Sequence, residues 1–142
     1  IMIIPGTDGE KMSKSRRNYI NIFLPEKELK KQIMSIQTDS TPLEAPKDPE
    51  HCNVFSLYKL LASQAQVAQM AENYRAGNYG FGHAKTVLYE LILEKFAEPR
   101  QKFAYYMEHL SKVDEILKQG AEKATGVAEQ TLKRVREKLG YL

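Results

Sequence analysis

Apolar residues recur every three or four positions from residue 83 to the carboxy terminus, and Pro99 is the only proline among them. This spacing places them on one face of a helix. Pro99 predicts a break near residue 98, Gly120 is a weak point, and Gly140 is a plausible stop. The apolar positions are Val87, Leu88, Leu91, Ile92 and Phe96, then Val113, Ile116, Leu117, Ala121, Ala124, Val127, Leu132, Val135 and Leu139. This part of the chain is predicted to be almost entirely helical.

The preceding residues predict three shorter helices. Pro25 suits the first turn of a helix whose buried stripe is Leu29, Ile33 and Ile36. Residues 38–49 contain three prolines and no periodicity, which predicts a loop. Asp48 is placed as the N-cap of a second helix, with Pro49 in its first turn. The buried face of that helix is Val54, Leu57, Leu60 and Leu61, and a third helix over about 65–75 ends at Gly77.

The predicted fold class is therefore mainly α: a helical bundle preceded by a short strand and loop. The strand is assigned to the apolar start, Ile1 to Ile4, and Asn18 to Leu24 is predicted to be a connector. We expect residues 1–24 to be the end of a catalytic domain and residues 25–142 to be an α-helical carboxy-terminal domain.

The composition excludes several classes of protein. A chain of 142 residues with 42% hydrophobic and 27% charged residues is neither disordered nor membrane-spanning in character. The single cysteine, Cys52, cannot form an internal disulfide, which favours a cytoplasmic location. Beside it stands His51 without further ligand residues, so no metal site is predicted. The net charge of +3 permits nucleic-acid binding without requiring it.

The segment Lys11-Met12-Ser13-Lys14-Ser15 carries the clearest chemistry. Two ammonium groups and two hydroxyls within five residues can bind a polyphosphate through both charge and hydrogen bonds. Two such cations favour the departure of pyrophosphate when a nucleotide is attacked at its α-phosphorus. Only ten residues precede the segment, which is too few for a strand–loop–helix nucleotide-binding unit. We expect the chain to begin partway through an active site; the alternative from composition alone is a solvated basic loop.

A glycine-rich stretch, residues 77–82, resembles a phosphate-binding loop only weakly. It lacks the preceding strand that dinucleotide binding requires. A tight turn between helices is the preferred interpretation. The aromatic residues Tyr74, Tyr79 and Phe81 could stack on unpaired bases, but core positions are the more frequent use of such residues.

Residues 11–15 are identical to the signature loop of class I aminoacyl-tRNA synthetases. The rest of the chain resembles the tryptophanyl-tRNA synthetase family over essentially its whole length. The matching segments are residues 30–40, Pro46 to Pro49, Tyr74 to Lys85, and Gly120 to Ala124. The runner-up family is tyrosyl-tRNA synthetase, and the Thr38-Asp39-Ser40 region favours tryptophan.

This resemblance implies an enzyme that activates tryptophan with ATP and Mg²⁺ and charges tRNA(Trp). Lys11 and Lys14 are the implied catalytic residues and contact the phosphates. Met12 and Ser13 approach the nucleotide, and Ser15 holds the loop or donates to phosphate. Ile1 and Met2 are placed near the adenine, and Arg16 and Arg17 receive no catalytic role.

The resemblance also implies that the helical part recognises the tRNA anticodon. Candidate tRNA-binding residues are Lys118, Lys123, Lys133, Arg134 and Arg136. Acidic neighbours such as Glu122, Glu129 and Glu137 leave open an ordinary salt-bridged helix face.

The histidine-containing class I motif and the tryptophan pocket are missing from the chain. We therefore expect an inactive piece with no bound cofactor and a weakly held loop. Dimers of the family form mainly through the missing domain, so this piece is compatible with a monomer. A free-standing helical RNA-binding module is the alternative from a different class of protein.

Overall fold

The structure is a computed structural model that describes residues 3–141. Its α-helices are α1 (Glu26–Met34), α2 (Asn53–Lys59), α3 (Gln64–Ala76), α4 (Phe81–Lys95), α5 (Ala97–Glu108) and α6 (Leu110–Leu139), with a 3-10 turn at Pro49–His51. Within residues 3–141 there is no strand, and Pro5 and Lys11 form an isolated antiparallel bridge. The prediction of a mainly helical chain is confirmed.

The stripe predicted for α1 forms its buried face. Leu29 and Ile33 are fully buried, and Ile36 is buried just beyond the end of the helix. Pro25 occupies the N-cap, one residue earlier than predicted. At the other end of α1, the Lys85 ammonium group donates to the carbonyl oxygen of Met34 at 3.1 Å, which ties α4 to α1.

The second predicted helix is divided in two. The Asp48 carboxylate accepts from the backbone N–H of Glu50 at 2.9 Å, as its N-cap role predicts, but the turn that it starts ends at His51. Cys52 is extended, with φ −111° and ψ 120°, and α2 begins after it. Because α2 ends at Lys59, Leu60 lies outside the helix and is 39% exposed, so its assignment to the buried face is wrong.

Helix α3 begins with a capping box formed by Ser63 and Gln66 and is followed by Gly77. Gly77 has a positive φ of 77°, and Gly80 is the N-cap of α4, so the glycine-rich stretch is a turn between helices. This agrees with the preferred interpretation of the sequence.

Helix α4 packs against α1 and α2 and completes the core. Tyr74, from α3, is part of this core and is fully buried. Its ring centroid lies 6.0 Å from that of Phe55, 5.5 Å from Tyr79 and 6.0 Å from Phe81. The Tyr74 hydroxyl lies 3.3 Å from the Cys52 sulfur, and burial raises the pKa of the tyrosine well above its usual value. Tyr74 and Phe55 are therefore core residues, and Tyr79 and Phe81 are half-buried against the core.

The break predicted near Pro99 occurs at Phe96, and Pro99 lies in the first turn of α5, where a missing N–H is tolerated. Arg100, in the second turn of α5, donates to the carbonyl oxygens of Leu24 at 3.0 Å and of Ile22. The connector 18–24 is thereby fixed to the start of α5.

The chain divides into two compact units, residues 1–100 and 101–142. In the second unit, α6 continues through Gly120 and ends at Gly140, which is left-handed with φ 71°. The predicted apolar stripe is present on this helix, but apart from the half-buried Val113 its residues are exposed within the unit. The predicted boundary at residue 24 does not coincide with the boundary between these two units, and it stays a prediction.

The prediction of a buried strand at the amino terminus is wrong for the residues that the structure describes. Ile3 and Ile4 are 61% and 44% exposed, because no neighbouring strand covers them in residues 3–141. Ile1 and Met2, including their placement near adenine, lie outside the described residues. None of the described helices has a stretch apolar and long enough to cross a bilayer.

Candidate functional site

Residues 5–18 form a compact loop that carries the Lys11–Ser15 segment. The backbone N–H of Gly6 donates to the Glu10 carbonyl at 2.7 Å, and the Met12 N–H donates to the Ile4 carbonyl at 2.9 Å. Gly9 closes the turn with φ 84°, a conformation that favours glycine. These backbone bonds hold the start of the segment in a hairpin-like turn.

Asn18 lies beneath this turn and is 3% exposed. Its side-chain oxygen accepts from the backbone N–H of Ser13 at 2.7 Å. Its side-chain amide donates to the Asp8 carboxylate at 2.7 Å and to the Lys11 carbonyl at 3.1 Å. Residues 11–13 are therefore anchored, which corrects the expectation of a weakly held loop.

The functional groups of the segment face solvent. Lys11, Lys14 and Ser15 are exposed, and the Ser13 and Ser15 hydroxyls lie 2.7 Å apart. The backbone N–H of Arg17 donates to the Lys14 carbonyl at 3.1 Å, with Arg17 at a positive φ of 55°. Two exposed ammonium groups and two paired hydroxyls thus occur within five residues, so the segment can offer charge and donors to one polyphosphate.

Met12 is the apolar residue of the segment. It is half-buried and lines a pocket of about 390 Å³. The lining is apolar, and it is formed by Ile4, Met12, Ile20, Ile22, Leu57, Leu60, Leu61, Leu88, Ile92 and Phe96. This pocket places a hydrophobic surface next to the cationic segment.

Two contacts join the turn to the helical core. The Thr7 carbonyl accepts from the backbone N–H of Gln37 at 2.7 Å, while within the loop the Thr7 N–H donates to the Asn18 carbonyl at 2.8 Å. Gly9 packs so closely on Asn53 that an added β-carbon would lie 2.6 Å from the Asn53 side-chain nitrogen. The turn is therefore fitted against the start of α2 and the end of α1.

A smaller polar pocket of about 230 Å³ lies on this side of the core, lined by Gln37, Thr38, Asp39, His51, Cys52, Asn53 and Phe81. His51 is exposed, and its Nδ1 lies 2.6 Å from the Asp48 carboxylate. The hydrogen bond with Asp48 raises the pKa of His51, and the same bond lowers the pKa of Asp48.

The candidate tRNA-binding residues all lie exposed on α6 in the second unit. Lys133 lies 4.0 Å from Glu137, and Arg134 donates to the Thr131 hydroxyl at 3.3 Å. The five candidates are Lys118, Lys123, Lys133, Arg134 and Arg136. Glutamates are interspersed among them along the helix. The alternative interpretation, an ordinary salt-bridged helix face, therefore stays open.

Sequence reasoning missed Asn18 and Asp8. Their contacts join residues five to ten positions apart, and no periodic pattern marks them. Two sequence signals could have pointed to them: Asp8 precedes Gly9 in a predicted turn, and the polar Asn18 follows the basic residues Arg16 and Arg17. In residues 3–141 no group of three metal-ligating side chains comes together.

One protein-family model matches a range of the chain that includes both the loop and the first four helices. The family model described as "tRNA synthetases class I (W and Y)" matches residues 1–98, which include residues 11–15 and α1 to α4. The chain belongs to this family of class I tRNA synthetases. Residues 99–142, with α6, lie beyond the matched range.

Individual class I tRNA synthetases match nearly the whole chain. A tryptophan–tRNA ligase of Campylobacter jejuni (strain RM1221) is 45% identical over 99% of the chain and 44% of the relative. That of Fusobacterium nucleatum subsp. nucleatum is 44% identical over 99% of the chain and 43% of the relative. The chain spans less than half the length of these relatives, which are aminoacyl-tRNA ligases.

Solved structures of the family show the same fold. The crystal structure of tryptophanyl-tRNA synthetase from Campylobacter jejuni complexed with ADP and tryptophan superposes with a TM-score of 0.94. Its sequence is 45% identical, and the match covers 99% of this chain and 44% of that one.

Proposed function

We propose that the chain is the carboxy-terminal part of a tryptophan–tRNA ligase, which activates tryptophan with ATP and charges tRNA(Trp). The observation that carries the proposal is the anchored loop that presents Lys11 and Lys14 to solvent on both sides of Ser13. The similarity to tryptophan–tRNA ligases over 99% of the chain supports it.

In the proposed reaction, a carboxylate oxygen of tryptophan attacks the α-phosphorus of ATP. The bond from the α-phosphorus to the bridging oxygen breaks, and pyrophosphate leaves with the electron pair. Negative charge grows on the leaving group, and the ammonium groups of Lys11 and Lys14 stabilise it most when the bond is breaking. The Ser13 and Ser15 hydroxyls, which lie 2.7 Å apart, are proposed to donate to phosphate oxygens.

The Lys11–Ser15 segment carries two ammonium groups and no carboxylate, so Mg²⁺ would arrive with the ATP phosphates. Residues 3–141 contain no cluster of acidic side chains that could hold the ion by themselves. The proposed division of labour gives charge neutralisation to the two lysines and to the metal carried by the nucleotide.

The solvent-exposed basic residues of α6 are proposed to contact tRNA. Lys118, Lys123, Lys133, Arg134 and Arg136 project from one 30-residue helix, which suits contact with a phosphate backbone. Their glutamate neighbours reduce the local charge, so we propose a positioning contact rather than the main source of affinity.

The deciding experiment is ATP–pyrophosphate exchange by the full-length protein that contains this chain. Exchange should depend on tryptophan and not on tyrosine, and Lys14→Ala should lower kcat about 100- to 1,000-fold. Lys27→Ala, which changes an exposed lysine in the first turn of α1, is the matched control and should have no effect. Full activity of Lys14→Ala would contradict the phosphate role, and tyrosine-dependent exchange would indicate the tyrosyl family.

A further inference from the structure

We propose that Asn18 positions the loop for catalysis, with Asp8 fixing the orientation of the Asn18 carboxamide. The inference rests on the proposed function of residues 11–15. Asn18 is a positioning residue, because its contacts are with the loop and its own polar groups do not face solvent.

The Asn18 carboxamide uses its oxygen and its amide on opposite partners. The oxygen accepts from the Ser13 N–H at 2.7 Å, while the amide donates to the Lys11 carbonyl at 3.1 Å. The planar carboxamide therefore fixes the position of the backbone at both Lys11 and Ser13. A side chain that only accepts, or only donates, cannot satisfy both partners.

Asp8 determines which way the carboxamide faces. Its carboxylate accepts from the Asn18 amide at 2.7 Å and from the Glu10 backbone N–H at 3.0 Å. The bond from Asn18 is the largest cause that lowers the pKa of Asp8, so Asp8 is ionised at neutral pH and acts purely as an acceptor. The opposite orientation of Asn18 would place its oxygen against this carboxylate.

Gly6 leaves the space that Asn18 occupies. A β-carbon at position 6 would lie 2.4 Å from the Asn18 side-chain carbon and nitrogen and 2.6 Å from the Asn18 carbonyl oxygen. Backbone therefore packs directly on the carboxamide from that side, and the side chain has no room for a second arrangement.

The consequence for catalysis follows from where the lysines are attached. The Lys11 carbonyl accepts from the Asn18 amide, and Lys14 follows directly after the anchored Ser13. A shift of the backbone there displaces both ammonium groups from the phosphates. A displacement of 1 Å at a catalytic group can cost about 100-fold in rate.

The isosteric change Asn18→Asp gives a specific signature. An ionised carboxylate keeps the bond from the Ser13 N–H but cannot donate to Asp8 or to the Lys11 carbonyl. Two carboxylates at this distance repel, so the introduced group gains a raised pKa and takes up a proton as the pH falls. The single O–H of the protonated acid can then donate to Asp8, which removes the repulsion and restores the loop in part, while the Lys11 carbonyl stays without its donor.

The test uses the full-length protein and ATP–pyrophosphate exchange between about pH 6 and pH 8. Asn18→Asp should lower kcat about 100-fold at pH 8, leave tryptophan binding unchanged, and recover progressively towards pH 6 relative to wild type. Adding Asp8→Asn to Asn18→Asp should recover about tenfold at pH 8, because the introduced amide donates to the introduced carboxylate. Asn78→Asp, at an exposed asparagine outside the loop, is the matched control and should leave activity and pH profile unchanged.

Lys14→Ala, measured in parallel, separates this inference from the proposed function. If Lys14→Ala loses exchange while Asn18→Asp retains it, the positioning role is overturned and the phosphate role stands. If Lys14→Ala retains exchange, the phosphate role itself is wrong. A pH-independent loss in Asn18→Asp that is accompanied by lost tryptophan binding would indicate a folding defect and would also overturn the positioning role.

Discussion

Gly77 lies directly against the backbone carbonyl of Glu44, so a β-carbon at position 77 would sit 2.4 Å from that oxygen. The contact docks the proline-containing loop 38–48 onto the end of α3. Beside it, the backbone N–H of Lys47 donates to the Tyr74 carbonyl at 2.7 Å. The loop is therefore held by close backbone packing as well as by side chains.

Gly77→Ala should destabilise the first unit by at least about 2 kcal/mol, because the change combines strain at positive φ with a backbone clash. Gly120→Ala is the control with the opposite sign. Gly120 lies inside α6 with nothing within 4 Å of an added β-carbon, and alanine should stabilise that helix by about 0.5–1 kcal/mol. Urea unfolding measures both. A neutral Gly77→Ala would contradict the docking described for the loop.

Lys47→Met should destabilise the chain by about 2–3 kcal/mol while nearly preserving side-chain volume. The Lys47 ammonium group is buried and donates to three carbonyl oxygens, those of Pro42, Leu43 and Ala45. Methionine leaves these acceptors without their donor. Lys59→Met, at an exposed lysine paired with Glu50, should cost less than about 1 kcal/mol in the same unfolding assay. Equal effects of the two changes would contradict a stabilising role for the three hydrogen bonds of Lys47.

Asp48→Asn should lower the pKa of His51 towards its ordinary value of about 6.5. Because the pKa of His51 is raised, the pair stabilises the fold fully below the ordinary pKa of an unfolded histidine. This stabilisation is lost as the pH rises through the raised pKa of folded His51. The contribution of Asp48, whose pKa is lowered, is lost instead as the pH falls into the acid range. Proton NMR titration of the imidazole measures the shift. Glu50→Gln is the comparison and should move it less, because Glu50 is the smallest of the causes.

If α6 contacts tRNA, Arg134→Ala should lower the slope of log affinity against log salt by about 1. Glu129→Gln should act in the opposite direction and strengthen binding, because Glu129 lies one turn before Lys133 on the helix. Filter binding of tRNA(Trp) at several salt concentrations measures both. Unchanged slopes would show that this face is simply solvated.

The helices were largely predictable from the sequence because their apolar residues are local and periodic. Leu29, Ile33 and Ile36 needed only their spacing, and Gly140 needed only its position after the last periodic residue. The break in the second helix was not predictable, since it depends on the buried, extended Cys52 and its contact with Tyr74, 22 residues further along.

The candidate site was predictable in its chemistry but not in its support. Residue types alone led to the prediction that Lys11 to Ser15 binds phosphate, and this stays a prediction. Asn18 could not be assigned, because its role depends on the space left by Gly6 and on the fixed carboxylate of Asp8. Lys47 was similarly hidden, since lysine is rarely buried unless partners compensate for its charge.

Thr7 is bonded through its backbone in two directions, to Asn18 on one side and to Gln37 on the other. Opening the turn would release both amide protons at once, that of Thr7 and that of Gln37. These two amides should therefore exchange with solvent deuterium at one common rate, although 30 positions separate them in the sequence. The turn within residues 5–18 and the segment just after α1 would then form one cooperative unfolding unit.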